Sequence, residues 1–372
     1  MKIGFACDWY KVPEETWSGI PWRLRCALAR QVDVADLGVR YSWEQLLLKY
    51  MHPVRHDGGW HTTYKWSSHW DKLVQRKLQS SLSKTPVDSV VEIGDLARLN
   101  VPYYLYQDLS YDVLERFYDP GADFLGLPGI SLDIIQRRRE RQHNIYQSAA
   151  GIFAMSEWFA DTLVEWSGVP SSKVTVVYAG LNSVGATTEK AGKSDNSIAA
   201  KEDAKLLFVG RDFFRKGGDI VLKAFAQLRR DHSAHIRLTV VGPDRWPLPG
   251  GIPEGVVFLG SLANAQVGRL YREHSLFVMP SRFEAFGIAF VEALAHGIPV
   301  IGRSSFAMPE IIRPGENGAL VHSDNPSELA SVITDVLGDP AIRRRTLQAM
   351  QEVRTQYSWD SVAEKMVTHM SS

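Results

Sequence analysis

The sequence predicts an α/β protein made of two similar parallel-sheet halves. Three observations carry that prediction. Short apolar runs alternate with longer helical patterns along most of the 372 residues. The runs are apolar at nearly every position, as expected of strands covered by helices on both faces. The alternation breaks once, in a small, polar and charged stretch at 182–204 without an aromatic residue, and then restarts.

In the first half the expected strands are 2–7, 89–93, 103–107, 151–156 and 174–180, with helices over 19–31 and 157–168. In the second they are 205–210, 237–242, 256–260, 276–281, 298–302 and 318–321, with helices over 219–230, 266–275, 287–297 and 326–338. The expected domains are therefore 1–182 and 205–357, joined by a linker at 183–204. A helix at 358–370, capped by Ser358, either continues the second domain or completes the first. Open α/β sheets bind ligands at the carboxyl ends of their strands, so two such sheets facing one another would leave a cleft between the domains.

Composition narrows the function classes. Hydrophobic residues make up 45% and charged residues 23%, which is ordinary globular material. Lys+Arg and Asp+Glu both number 42, so no nucleic-acid partner is expected. Two cysteines, Cys7 and Cys26, cannot make a disulfide framework and lack metal-binding spacing. The start, MKIGFACDWY, lacks the apolar core of a signal peptide, and no run is long enough to span a membrane. A reducing, cytoplasmic setting is the expectation.

Some motifs fail on inspection. Ala191–Ser194 reads AGKS, but the earlier glycine of a P-loop would fall at Thr187, and no strand precedes it. No G-x-G-x-x-G follows a strand, which argues against a dinucleotide dehydrogenase. His52, His56, His61 and His69 lie close in sequence, but Pro53 opposes a helical pair, and a polar loop is favoured over a metal site.

Two stretches carry chemistry. In FVGRDFFRKGGDIVLKAF (208–225) a strand ends at Gly210, and a loop with Arg211, Arg215 and Lys216 leads into a helix. Cations at a strand end suit a phosphate or diphosphate, against the plain alternative of a solvated basic turn. In SRFEAFGIAFVEALAHGIPVIG (281–302) Glu284 lies on a loop and Glu292 lies inside the following apolar helix. The first amides of that helix have no partners, and Gly287 lets a ligand approach the backbone. A carboxylate at Glu292 needs partners, either vicinal hydroxyls of a ligand or a structural ion pair.

These stretches resemble the family-4 retaining glycosyltransferases of GT-B fold. RFEAFGIAFVEALAHGIPVI is similar to that family's Glu-x7-Glu motif, and 208–225 to its basic donor-phosphate motif. TWSGIPWRLRCALA (16–29) resembles its N-terminal glycine loop, and 153–182 the segment that closes its first domain. The resemblance implies two Rossmann-like domains facing a central cleft. It also implies transfer of a hexose from a nucleoside-diphosphate sugar, expected to be a UDP-sugar, to a hydroxyl of a saccharide or lipid-linked acceptor. By this resemblance Arg211, Lys216 and Glu284 are the catalytic group. Gly19, Phe286, Gly287, Ile288 and Glu292 would bind the donor, with the nucleobase near Gly242 and Leu262. No cofactor or metal is required. The leaving phosphate would take the acceptor proton, so no protein nucleophile is needed. A retaining glycosidase fits less well, since its two carboxyls must flank one bond.

The pattern departs from the family at one place. The histidine often found after the strand at 103–107 is here Gln107, followed by Asp108; either Gln107 orients the sugar or Asp108 faces it. The family's VPNGVD-like pattern is likewise VYAGLN here, with Asn182 in place of the acid. Seven of eleven tryptophans fall in the first 70 residues, and Trp60 and Trp66 are candidates for acceptor binding, with core packing the alternative. RRRER (137–141) reads as a solvated helix face or, alternatively, as a peripheral contact with an anionic membrane. Two other functions stay open at this point: a phosphorylase or epimerase of the same architecture, and a non-catalytic two-lobed sugar-binding protein.

Overall fold

A computed structural model describes residues 1–40, 42–56, 59–119, 125, 127–182 and 203–371. The expected linker, with its AGKS run, lies outside the described residues between 183 and 202. Contacts divide the chain into two units, Met1–Gly180 with Ser358–Ser372, and Leu181–Tyr357.

The first unit runs β1 (Lys2–Ala6), α1 (Ile20–Leu28), β2 (Asp33–Asp36), α2 (Trp43–Met51), β3 (Pro53–His56), β4 (Gly59–Thr62), α3 (Ser68–Lys84), β5 (Ser89–Ile93), β6 (Tyr103–Gln107), α4 (Tyr111–Arg116), α5 (Leu132–Ser148), β7 (Gly151–Ala154), α6 (Glu157–Glu165) and β8 (Val174–Val176). Six strands form one sheet in the order β2-β1-β5-β6-β7-β8, and β3 and β4 make a separate antiparallel hairpin. All pairings in the large sheet are parallel. The apolar runs become its buried layer: Ile3, Phe5, Val90, Val91, Leu105 and Phe153 are fully buried. Each such side chain contributes about 1.5–3 kcal/mol relative to exposure. β8 is shorter than its apolar run because Tyr178 turns into the left-handed region at φ 66, where its carbonyl accepts from Tyr106 Oη at 2.8 Å.

The second unit runs β9 (Lys205–Val209), α7 (Gly218–Asp231), β10 (Arg237–Val241), β11 (Val256–Gly260), α8 (Asn264–Glu273), β12 (Leu276–Val278), α9 (Ile288–Ala295), β13 (Val300–Arg303), α10 (Met308–Ile311), β14 (Gly318–Val321), α11 (Pro326–Gly338) and α12 (Pro340–Gln356). Its strands are ordered β11-β10-β9-β12-β13-β14, which is the 3-2-1-4-5-6 order of Rossmann sheets.

The last helix, α13 (Trp359–Ser371), packs on the first unit. Trp359 covers Gly180 so closely that an added Cβ there would sit 2.3 Å from the indole. Arg30 Nε donates to Asp360 at 2.9 Å, and the His369 ring meets Phe153 edge-on at 5.6 Å.

The RRRER run needs correcting. It lies on α5 as a helix with Arg137 and Glu140 exposed, but Arg138, Arg139 and Arg141 do not form a solvated face. Arg138 is buried and pairs with Asp71, with Asp95 at 3.8 Å. Arg141 reaches Asp71 and Asp95, each at 3.3 Å, and Arg139 pairs with Glu115. These carboxylates come from α3, α4 and the loop after β5, so the cations tie the helix to its neighbours.

A second ionisable group is hidden in an apolar run. Glu92 on β5 is fully buried; its Oε2 accepts from the amides of Leu96 at 3.1 Å and Ala97 at 3.3 Å, while Oε1 has no hydrogen-bond partner among the described residues. Burial lifts its carboxyl from 4.5 to about 8. The native state therefore keeps a proton that the unfolded chain gives up. Stability from this group is full below about pH 4.5 and falls as pH rises through about 8. In Glu92→Gln, that decline in urea-unfolding free energy between pH 5 and 8 is expected to flatten.

Candidate functional site

The strand order of the second sheet creates the site. From β9 the chain moves outward to β10 and β11, then returns to the other side of β9 as β12. The loops after β9 and β12 thus leave neighbouring strand ends in opposite directions, a topological switch point. They are the two stretches in which the sequence concentrates its cations and its paired glutamates.

Backbone geometry locks the loops together. Gly217 has φ 76, and a Cβ on it would lie 2.6 Å from the Pro280 carbonyl. The Arg282 amide donates to the Arg215 carbonyl at 2.8 Å. Arg215 donates to Asp212 at 2.8 Å and to the Phe283 carbonyl at 3.1 Å. Gly242, after β10, takes φ 128 against the Gly210 carbonyl, where a Cβ would come within 2.3 Å. Its amide donates to Gly260 at 2.8 Å, which brings the loop after β11, with Leu262, to the same edge.

At the centre, Lys216 Nζ pairs with Glu284 Oε2, with side chains only 15% and 10% exposed. Ser281 Oγ donates to the same oxygen at 3.3 Å. Burial pulls the Lys216 ammonium below the ordinary lysine range, and the Glu284 charge opposes that pull. Arg211 is exposed and makes no ion pair among the described residues. Arg282, which sequence reasoning passed over, forks onto Asp219 at 2.7 and 3.0 Å and reaches Asp324 at 2.7 Å. Arg303 joins the same Asp324 and the Pro280 carbonyl. These partners lie 21 to 63 positions away, so an arginine next to Glu284 was the one available signal.

α9 begins at this point. Gly287 caps it at φ 89, tight against Phe290 and Glu284, and the Phe290 amide closes on the Gly287 carbonyl at 2.9 Å. Helix geometry leaves the first amides, Ile288 and Ala289, without intrahelical acceptors. Phe286 is buried 6.2 Å from the Tyr357 ring. Glu292 sits one turn into α9, half-buried, and its charge bears on the Tyr271 hydroxyl of α8. The structure thus gathers Lys216, Glu284, Gly287 and Ile288, with Glu292 one turn along.

The first unit holds the other candidates. Gly19 caps α1 with φ 88, preceded by Trp17 and Ser18 at φ 50 and 58. Three successive left-handed residues, two of them not glycine, are a costly backbone. Gln107 ends β6 buried, its Oε1 accepting from Tyr146 Oη at 2.9 Å, so its amide oxygen is committed to α5. Trp66 packs edge-on against Tyr111 at 5.6 Å, and Trp60 stands on β4 75% exposed. Lys65 beside Trp66 pairs with Asp8 at the end of β1. The His52 and His69 rings lie 5.9 Å apart, and among the described residues no three His, Cys, Asp or Glu side chains group as a metal site.

With this geometry in view, residues 190–353 match the sequence model of a family described as glycosyl transferases group 1. Relatives include an uncharacterised glycosyltransferase of Methanocaldococcus jannaschii, 30% identical over 58% of this chain and 58% of its own. D-inositol 3-phosphate glycosyltransferase of Streptomyces avermitilis is 30% identical over 59% of this chain and 51% of its own. The chain thus spans little more than half the length of these curated relatives. Among solved structures, sucrose-phosphate synthase of Thermosynechococcus elongatus superposes with a TM-score of 0.73 at 17% identity, covering 100% of this chain and 98% of that one. HepE of Anabaena in complex with UDP-glucose gives 0.67 at 16% identity, covering 100% and 99%. These likenesses show the fold to be GT-B, two Rossmann-like parallel-sheet domains.

Removing one member of a buried ion pair strands the other. Lys216→Met is expected to destabilise the second unit by about 3 kcal/mol, and Lys216→Met with Glu284→Leu to recover most of that loss. Chemical denaturation of the two variants checks it.

Proposed function

We propose that the second unit binds a nucleoside-diphosphate sugar, expected to be a UDP-sugar, and that the protein transfers its hexose, with retention, to a hydroxyl of a saccharide or lipid-linked acceptor. The observation that carries this reading is the Lys216–Glu284 pair at the switch point, beside the open amides of α9. The family match over 190–353 and the UDP-glucose complex of HepE support it.

In this reading the diphosphate lies against Arg211, Lys216 and the first amides of α9. As the bond from the sugar's anomeric carbon to the diphosphate breaks, negative charge grows on the leaving oxygens. Fixed donors stabilise that charge more than they stabilise the bound ground state, and one such donor is worth about 3–4 kcal/mol. The acceptor oxygen forms the new bond to the anomeric carbon and passes its proton to the departing diphosphate. Lys216 suits this role because it is already held in place and poorly hydrated. Glu284 accepts from the donor's sugar hydroxyls, and Glu292 takes two hydroxyls of the ribose. Gly19 supplies the first unit's amide, and Gly242 and Leu262 border the base. Gln107 is left to an orienting role through Tyr146. No cofactor or metal enters the scheme.

A thermal-shift panel of nucleotides and nucleotide sugars tests it. Binding at 100 times Kd stabilises by about 2.7 kcal/mol, so one base class is expected to stand out. Glu292→Ala is expected to remove that response, and Lys216→Ala to depress kcat more than KM. No response to any nucleotide overturns the proposal, and turnover that depends on free phosphate without nucleotide replaces it with a phosphorylase.

A further inference from the structure

We infer that α2 and the β3–β4 hairpin form a docking surface for an anionic lipid bilayer. Trp43, Leu46, Leu47, Tyr50 and Met51 recur at helical spacing, yet they face solvent. Trp43 is 70% exposed, Leu47 54%, Tyr50 81% and Met51 53%. The opposite side of α2, Gln45 and Leu48, is the one buried in the unit. A contiguous apolar stripe of this kind marks an interaction surface.

The hairpin extends it. Thr62 Oγ1 donates to the Lys49 carbonyl at 3.2 Å and the Thr63 amide to that of His52 at 3.0 Å, fixing β4 to the last turn of α2. Trp60, also exposed, stands opposite Arg55 in register, so indole and guanidinium share one face of the ribbon.

Charge identifies the occupant. Residues 40–77 hold seven Lys or Arg against three Asp or Glu in a chain of zero net charge, although Arg40 pairs with Asp36, Lys65 with Asp8 and Lys77 with Glu44. Arg40, two residues before the α2 cap, and Arg76, 3.9 Å from Glu44 of α2, have side chains 60% and 72% exposed. Aromatic and aliphatic side chains flanked by cations match the headgroup region of an anionic bilayer, where rings sit at the interface and cations meet phosphates. A second copy presenting the same cations would be repelled. Arg138, Arg139 and Arg141 of α5 contribute little here, being taken up by Asp71, Asp95 and Glu115. Among the described residues no helix is long and apolar enough to cross a bilayer, and the proposed contact is peripheral.

Vesicle flotation without any nucleotide tests this, so its outcome is separate from that of the donor reading. The protein is expected to float at low salt with phosphatidylcholine vesicles containing roughly one third phosphatidylglycerol, and to be released by high salt. Its tryptophan emission is expected to shift to the blue on binding. Leu47→Glu with Tyr50→Glu is expected to weaken partitioning at least about tenfold while leaving Tm unchanged, since both side chains are exposed. Absence of flotation at low salt, or flotation undiminished in that variant, overturns the inference. So does a wild-type dimer that ignores vesicles and dissociates in the variant, which would make the stripe a contact between copies.

Discussion

Lys216 and Glu284 are opposite charges held out of water at the point where the second sheet reverses direction, and the loops around them are shaped to keep them there. Each group alone would be costly in that position. Together they neutralise one another but contribute little net stability, because desolvation consumes most of the attraction. Under the proposed function they supply readiness: a ligand's oxygens would meet a lysine already in place, with no side chain to order. Gly217, Gly242 and Gly287 are required for the same reason: each takes a left-handed conformation at a contact with no room for a Cβ. Arg282 serves as the tie rod, joining the loop of Glu284 to the start of α7 and to the loop after β14.

The two sheets solve their packing differently. The first, in the order β2-β1-β5-β6-β7-β8, has its reversal between β1 and β5. Near it lie the strained Trp17–Gly19 turn, the Asp8–Lys65 pair and the buried Glu92. Asp8 is pushed up by its burial despite Lys65 beside it. Ionisable groups are thus kept under cover at the carboxyl edge of both sheets, Glu284 and Asp8 with a lysine partner and the protonated Glu92 with two backbone amides.

Much of this was legible in the sequence, and the exceptions have physical causes. Strands covered on both faces must be apolar throughout, so KLLFVG or SVVEI could be recognised without partners. β2 was not, because DVAD is a short edge strand with acids at both ends and no apolar run. The loops at 210–217 and 279–287 could be placed at strand ends, but not against each other, since strand order is a tertiary property. RRRER was misread for the same reason. A run of cations looks solvated until Asp71, Asp95 and Glu115 arrive from elsewhere in the chain. The α2 stripe is the converse case, because helical apolar spacing is ordinarily a core signal and says nothing about whether another element covers it.

The return of α13 to the first unit sets an order of events during synthesis. The sheet of that unit is complete in the chain once β8 has been made, yet Gly180 stays uncovered until Trp359 emerges. Everything in the second unit is translated in that interval. Domains usually finish from the N-terminal side as they leave the ribosome. Here the N-terminal unit closes last, so a chain interrupted within α12 would present a complete second unit and a first unit still missing its final helix.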